Sequence, residues 1–184
     1  MIRISGLSKR FDEECNIQIK PEKFIFFSGL IFITIRSNFM INTLSECFNE
    51  IVELCKKLSG EYGNNASWFS DAITEGEITV WEENNKINIP KSYKEWLMLA
   101  GSCQILFDVL KLYSLDNIIT IHNNFPDDLV IIGNVFGSGD SLCFSKTTGK
   151  FVRYNPFEDI SEKRRFDDFE AFLRKVILPY LKKC

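Results

Sequence analysis

Two helix-like segments in immediate succession, each with its own start and stop signals, constrain this chain more than any other stretch. The first opens on Thr74 with Glu77 three residues on. At that spacing the hydroxyl takes one orphan backbone N–H and the carboxylate reaches back to another. Ile78 and Trp81 follow at i, i+3, and Gly76 in the first turn is a mild weakness. Asn84-Asn85 is expected to end the helix, because Asn tolerates a left-handed residue. Ile87 and Ile89 alternate in a short extended link, and Pro90 suits the entry of a second helix, where its missing N–H does no harm. Tyr93, Trp96, Leu97 and Ala100 then fall at i, i+3, i+4 and i+7, one apolar stripe. Gly101 is the expected stop. Stripes of this kind form cores, and nothing from Thr74 to Gly101 has a catalytic pattern. It reads as scaffold.

At 184 residues the chain is expected to form one domain with a substantial core. Residues 1–39 differ in character from the rest. Ile2–Ser5 and Ile17–Lys20 alternate like short strands, and Phe24–Ile35 is an apolar run between Lys23 and Arg36. That run is a dozen residues long, short of the roughly 20 that span a bilayer. No small-residue cleavage site follows it as in a signal peptide, and its β-branched and aromatic content fits a strand or hairpin. Membrane insertion or export is the lesser alternative. The expected organisation is an atypical extension over 1–39, with translation beginning at Met40 as a further hypothesis, and a domain over 40–184. From Met40 the helical signals are clear. Thr43 and Glu46 have capping-box spacing, and Leu44, Cys47/Phe48, Ile51, Leu54/Cys55 and Leu58 hold a stripe that Gly60 is expected to end.

After a polar stretch in which Trp68 and Phe69 are expected to pin the chain to the core, the period shifts. Ile105–Phe107 and Val109–Tyr113 read as strands, Leu115–Ile119 as a helical turn, and Leu129–Ile132 as a buried strand running into Gly133. The glycines at 133, 137 and 139 have neither the dinucleotide nor the phosphate-loop spacing. They instead suit positive φ or close packing before a hairpin, Leu142/Phe144 to Phe151/Val152/Tyr154, turning at Thr147–Lys150. Asp140 there serves a cation or a partner's base, or, more ordinarily, caps the N–H groups of its own loop. Asn155–Arg165 reads as a solvated connection. A last helix opens at Phe166-Asp167-Asp168-Phe169 and carries Phe172, Leu173, Val176 and Ile177 inward. Pro179 is its expected end.

Three blocks now stand in order: Ile73–Ile78 leading to Ile89-Pro90-Lys91-Ser92-Tyr93-Lys94-Glu95-Trp96-Leu97; Ile132-Gly133 to Gly139-Asp140-Ser141-Leu142; and Phe166–Phe169 with Phe172-Leu173. Together they resemble the SUKH superfamily, the Smi/Knr type, over about residues 70–178. Ile89 stands where that pattern has Leu, Trp96 where it has Phe, and Gly101-Ser102-Cys103 where it has Asn-Gly-Gly. The resemblance implies an α+β fold, with helices packed on a mostly antiparallel sheet. It also implies a bacterial immunity protein that binds and neutralises a toxin, often a nuclease. Eukaryotic relatives associated with cell-wall regulation supply the alternative, a regulatory scaffold with no toxin partner.

Charge and composition fit a binding protein. The formal charge of −3 and pI near 5.3 argue against a nucleic-acid surface. Of the 22 basic and 25 acidic residues, six and four lie in 1–39, which leaves 16 and 21, a net of −5, from residue 40 on. That balance would steer a basic partner. The six cysteines are scattered and His122 is the one histidine, so no zinc pattern exists and no cofactor is expected. Isolated cysteines of this kind suit a reducing cytoplasm. His122 with a cysteine would be the remaining nucleophile pair, but no cysteine has an activating context. The expected function is stoichiometric occlusion of a cognate toxin, with no catalytic residues. Candidate contacts, expected to be exposed, are Glu82, Glu83, Asp127, Asp128, Asp140 and Glu158.

Overall fold

The structure is a computed structural model that describes residues 43–137, 139–158 and 164–184. The readings of residues 2–5, 17–20 and 24–35, and of Met40 as a start, lie outside the described residues, as does the Thr43 side chain with its expected cap. Helix α1 (Thr43–Tyr62) buries Leu44, Cys47, Ile51 and Cys55 along the expected stripe. It runs through Gly60. The stop is Gly63, whose φ of 90° only glycine adopts cheaply and whose N–H bonds the Ser59 carbonyl at 2.9 Å.

Strand β1 (Trp68–Phe69) leads into helices α2 (Glu75–Asn85) and α3 (Lys91–Leu97). The Thr74–Glu77 capping box forms in both directions. The left-handed residue that ends α2 is Lys86, φ 56°, and not Asn84 or Asn85. All four residues of the α3 stripe are buried. Tyr93 and Trp96 both stack on Phe169, at 5.1 and 5.3 Å between ring centres, and Tyr93 also meets Phe151. Gly101 does not end α3 by a left-handed turn. It is small because its backbone passes Ser70 and Asp71, where a Cβ would lie 2.7 Å from the Ser70 hydroxyl.

Strands β2 (Cys103–Ile105), β3 (Leu110–Leu112), β4 (Leu129–Val135), β5 (Asp140–Ser145), β6 (Phe151–Tyr154) and β7 (Arg165–Phe166) complete a seven-stranded sheet in sequence order, with every pairing antiparallel. Leu106 and Phe107, expected to continue a strand, have positive φ and turn the β2–β3 hairpin. A 3-10 turn (Leu115–Asn117) precedes β4. Gly133 lies at a bulge in β4, and a Cβ there would sit 2.1 Å from the Lys111 carbonyl. Only glycine lets β3 and β4 approach so closely.

Helix α4 (Phe169–Phe172) begins at Asp168, whose carboxylate accepts the Ala171 N–H at 2.7 Å. Pro179 does not end the helix. A π turn over Leu173–Ile177 leads into α5 (Leu178–Leu181), with the Leu178 N–H bonding the Leu173 carbonyl. The wider turn accommodates a residue that donates no N–H and would crowd the carbonyl four back. It also keeps Phe172, Leu173, Ile177, Leu178 and Leu181 buried together.

Side chains alternate across a strand, so the sheet has two unlike faces. Val130, Ile132, Leu142, Phe144, Phe151 and Phe166 join the helices in the main core. Ile131, Cys143 and Val152 point the other way and are partly covered by Tyr113, Phe125, Leu129 and Tyr154. The described chain is thus an α+β fold with helices on an antiparallel sheet. No helix among the described residues is long and apolar enough to cross a membrane.

Candidate protein-interaction site

The six acidic candidates fall into three groups with different surroundings. On α2, Glu82 is mostly buried, accepting the Ile89 N–H at 2.5 Å and the Lys94 ammonium at 2.7 Å. It ties the helix to the link that follows and to α3. Glu83 beside it is exposed. Asp127 and Asp128 precede β4 at the β5–β6 turn. The Asp128 carboxylate accepts from the Thr147 backbone and hydroxyl at 2.9 and 2.6 Å, while the Asp127 carbonyl takes Lys146 at 2.6 Å. Hydrogen bonds from Ser145 and then Thr147 hold the Asp128 carboxyl below its ordinary value.

Asp140 corrects an expectation. It is 3 % exposed, and its hydrogen-bond partners among the described residues are side chains, not loop N–H groups. Arg153 and Arg164 bind its two carboxylate oxygens, Arg164 at 3.3 Å, and the Asn155 amide adds a contact at 3.4 Å. Glu158, exposed, meets the other side of Arg164. Arg153 also lies over the Phe136 ring at 5.0 Å. A buried carboxylate between two guanidinium groups is neutralised in place, so Asp140 fastens β5 to β6 and to the segment before β7. Glu82 and Asp140 therefore differ from the expected exposed contacts. Glu83, Asp127 and Glu158 remain on the surface.

An opening among the described residues lies elsewhere. A cleft of about 670 Å³ runs between α2 and the 3-10 turn, with Ile73, Val80, Trp81 and Leu115 as its apolar lining and Glu77 and Asp116 at its polar edge. At Ser114 it adjoins a second cleft of about 420 Å³, against β1 and β3, lined by Trp68, Tyr113 and Ile119 among others. Val80 is 56 % and Trp68 43 % exposed, so Trp68 does not pin its strand as expected; Phe69 does. Helix α2 explains the opening. Ile78 alone of its residues is fully buried, and it carries four glutamates and no basic residue. Hydrogen bonds from the Thr74 hydroxyl and backbone hold the Glu77 carboxyl below its ordinary value, so it stays charged.

Sequence reasoning missed this cleft. Its walls come from residues 73–84 and 114–116, which only the fold brings together. An isolated exposed Val80 is ordinary on any surface and offers no signal.

The four buried cysteines are not activated for nucleophilic attack. Burial pushes the Cys47 thiol up to about 11 and Cys103 up to about 12, and it raises Cys55 and Cys143 as well. Thiols raised in this way stay protonated near neutral pH, the reverse of an activated nucleophile. His122 is exposed, meets Phe125 edge to face at 4.7 Å and accepts the Asn124 N–H at 3.3 Å. Among the described residues no group of three or more His, Cys, Asp or Glu could hold a metal ion.

Comparison with known families settles the lineage. Residues 72–175 match the SMI1 / KNR4 family (SUKH-1). The chain belongs to this family. The matched span starts just before α2 and ends within the π turn, so it takes in the cleft's α2 wall, the 3-10 turn and all strands from β2 to β7. No curated protein matches the chain. The SUKH family includes toxin-immunity proteins, and both the fold and the three sequence blocks accord with membership.

Proposed function

We propose that this SUKH protein is an immunity protein that neutralises a bacterial toxin of a polymorphic or contact-dependent system by stoichiometric occlusion in the cytoplasm. The observation that carries the reading is an open, apolar-floored cleft with acidic edges on a scaffold whose family includes toxin-immunity proteins. A protein of net −5 from residue 40 on suits a basic toxin such as a nuclease, because complementary charge speeds encounter and disfavours wrong partners. Buried, unpaired cysteines fit a reducing compartment. Occlusion needs no catalytic group, only an interface of ordinary size.

The test is co-expression with the toxin domain encoded beside this chain's gene. The expected result is a co-purifying complex at one-to-one stoichiometry, with toxin activity falling in proportion to added protein. If the toxin domain neither co-purifies nor loses activity, the proposal fails. A stable complex with a cellular protein in place of a toxin would assign the chain to the regulatory-scaffold role instead.

A further inference from the structure

We infer that the cleft between α2 and the 3-10 turn receives a cationic segment of the partner protein, anchored by an aromatic or aliphatic side chain; this rests on the partner being a protein, as proposed above. Three features select that occupant. The floor is apolar and reachable, with Val80 largely exposed and Trp81 half-buried. Binding surfaces of this kind accept a few large side chains that dominate the affinity. The edge is acidic from both sides, Glu77 on α2 and Asp116 on the turn, with no basic residue in the cleft lining.

The third feature is how the charge is maintained. Glu77 is held ionised by the Thr74 cap, so its anion belongs to the helix start and does not depend on a partner. α2 meanwhile carries no lysine or arginine that could fold over and neutralise it. An acidic or neutral partner would desolvate these carboxylates uncompensated, which is costly; lysine or arginine would pair with them while its neighbour fills the floor. Trp68 and Ile119, across Ser114, extend the apolar track toward the sheet face, where Lys111 marks the end of the acidic stretch and the place for an apolar residue of the segment. The occupant is therefore a segment several residues long, beyond a single side chain.

The probe is a capped twelve-residue peptide alternating lysine with leucine and tryptophan, added to the full chain and followed by amide and indole NMR signals. Two controls replace lysine with glutamate, or the apolar residues with serine. The expected result is movement of the Trp81 indole and of the α2 and Ser114–Asn117 amides. Both controls should bind at least tenfold more weakly, and Asp116→Lys should weaken the first peptide at least fivefold. Equal binding of the glutamate peptide, signal changes centred elsewhere, or no binding would overturn the inference.

The same surface variants separate this inference from the functional reading. Val80→Asp alters an exposed side chain, and an unchanged thermal transition shows that it folds. If wild type neutralises the toxin and folded Val80→Asp/Asp116→Lys does so equally well, the cleft assignment falls and immunity stands. If wild type fails to neutralise while the peptide pattern holds, immunity falls and the cleft stands. Sedimentation that reveals a dimer abolished by Val80→Asp would assign the cleft to a second copy and overturn the inference.

Discussion

Asp140 is the residue on which the most charge converges, with two guanidinium groups on one buried carboxylate. Arg153 is already imperfectly satisfied, its Nε buried without a partner. Removing the carboxylate leaves Arg153 without this anion and Arg164 with Glu158 alone among the described residues, and breaking a buried pair costs roughly 3–5 kcal/mol. The arginines keep some exposure, so Asp140→Ala is expected near the lower end, about 3 kcal/mol in urea unfolding. Asp127→Ala, on the surface, should change stability by less than about 0.5 kcal/mol. A comparable loss in both would show that the buried network contributes nothing special. Asp128 gives a pH signature. Its carboxyl lies below the ordinary 3.8 in the folded chain because Ser145 and Thr147 donate to its anion. A depressed folded value stabilises above the unfolded one, and the contribution disappears as pH falls through the folded value. Wild type should therefore exceed Asp128→Asn in stability near neutral pH, and the gap should close on acidification below about pH 4. A gap constant across that range would contradict the assignment. Sequence reasoning named Asp140 and Asp128 as exposed acidic contacts. Their partners lie 13 and 24 positions on for Asp140 and 17 and 19 for Asp128, distances at which spacing says nothing about contact.

Among the elements, α2 combines strong local signals with weak packing. Its start was legible because a capping box is a four-residue event decided by neighbours alone. Its end at Asn85 was legible too, but Lys86 takes the left-handed conformation that Asn was expected to supply. With Ile78 the only fully buried residue, the helix depends heavily on its cap and its propensities. Thr74→Ala should cost about 1 kcal/mol. Gly76→Ala should stabilise by about 0.5–1 kcal/mol, because the new methyl would meet only the Thr74 hydroxyl, at 4.0 Å. Urea unfolding of both variants checks the pair, and a destabilising Gly76→Ala would show that α2 needs backbone freedom there. The π turn was not legible. The stripe through Phe169, Phe172, Leu173 and Ile177 fits an ordinary helix, and Pro179 then reads as a terminator. What overrides it is the main core, which takes in Leu178 and Leu181 on either side of the proline. Local chemistry proposes an end, and packing moves it.

For the whole molecule, the ordering of strands explains why the fold was readable and the cleft was not. Every strand pairs with its neighbour in sequence, so hairpin signals such as Thr147–Lys150 translate directly into sheet topology. Longer connections join β3 to β4, through the 3-10 turn, and β1 to β2, a pairing that closes over α2 and α3. That long connection carries α2 out to the position where it faces the 3-10 turn and forms the cleft. Among the described residues the core draws on positions from Leu44 to Leu181, with the helices α1, α3, α4 and α5 against one face of seven strands. We therefore propose that residues 40–184 constitute the folding unit, with 1–39 as an appended segment. A chain starting at Met40 is expected to unfold in a single cooperative transition whose denaturant slope matches the area exposed by a domain of that size. Its amide spectrum should superpose on that of the full chain for residues 43–184, and it should neutralise toxin equally well. A Met40–Cys184 chain that aggregates or loses cooperativity would show that 1–39 supplies part of the fold. One that folds but fails to neutralise would place part of the interface in 1–39.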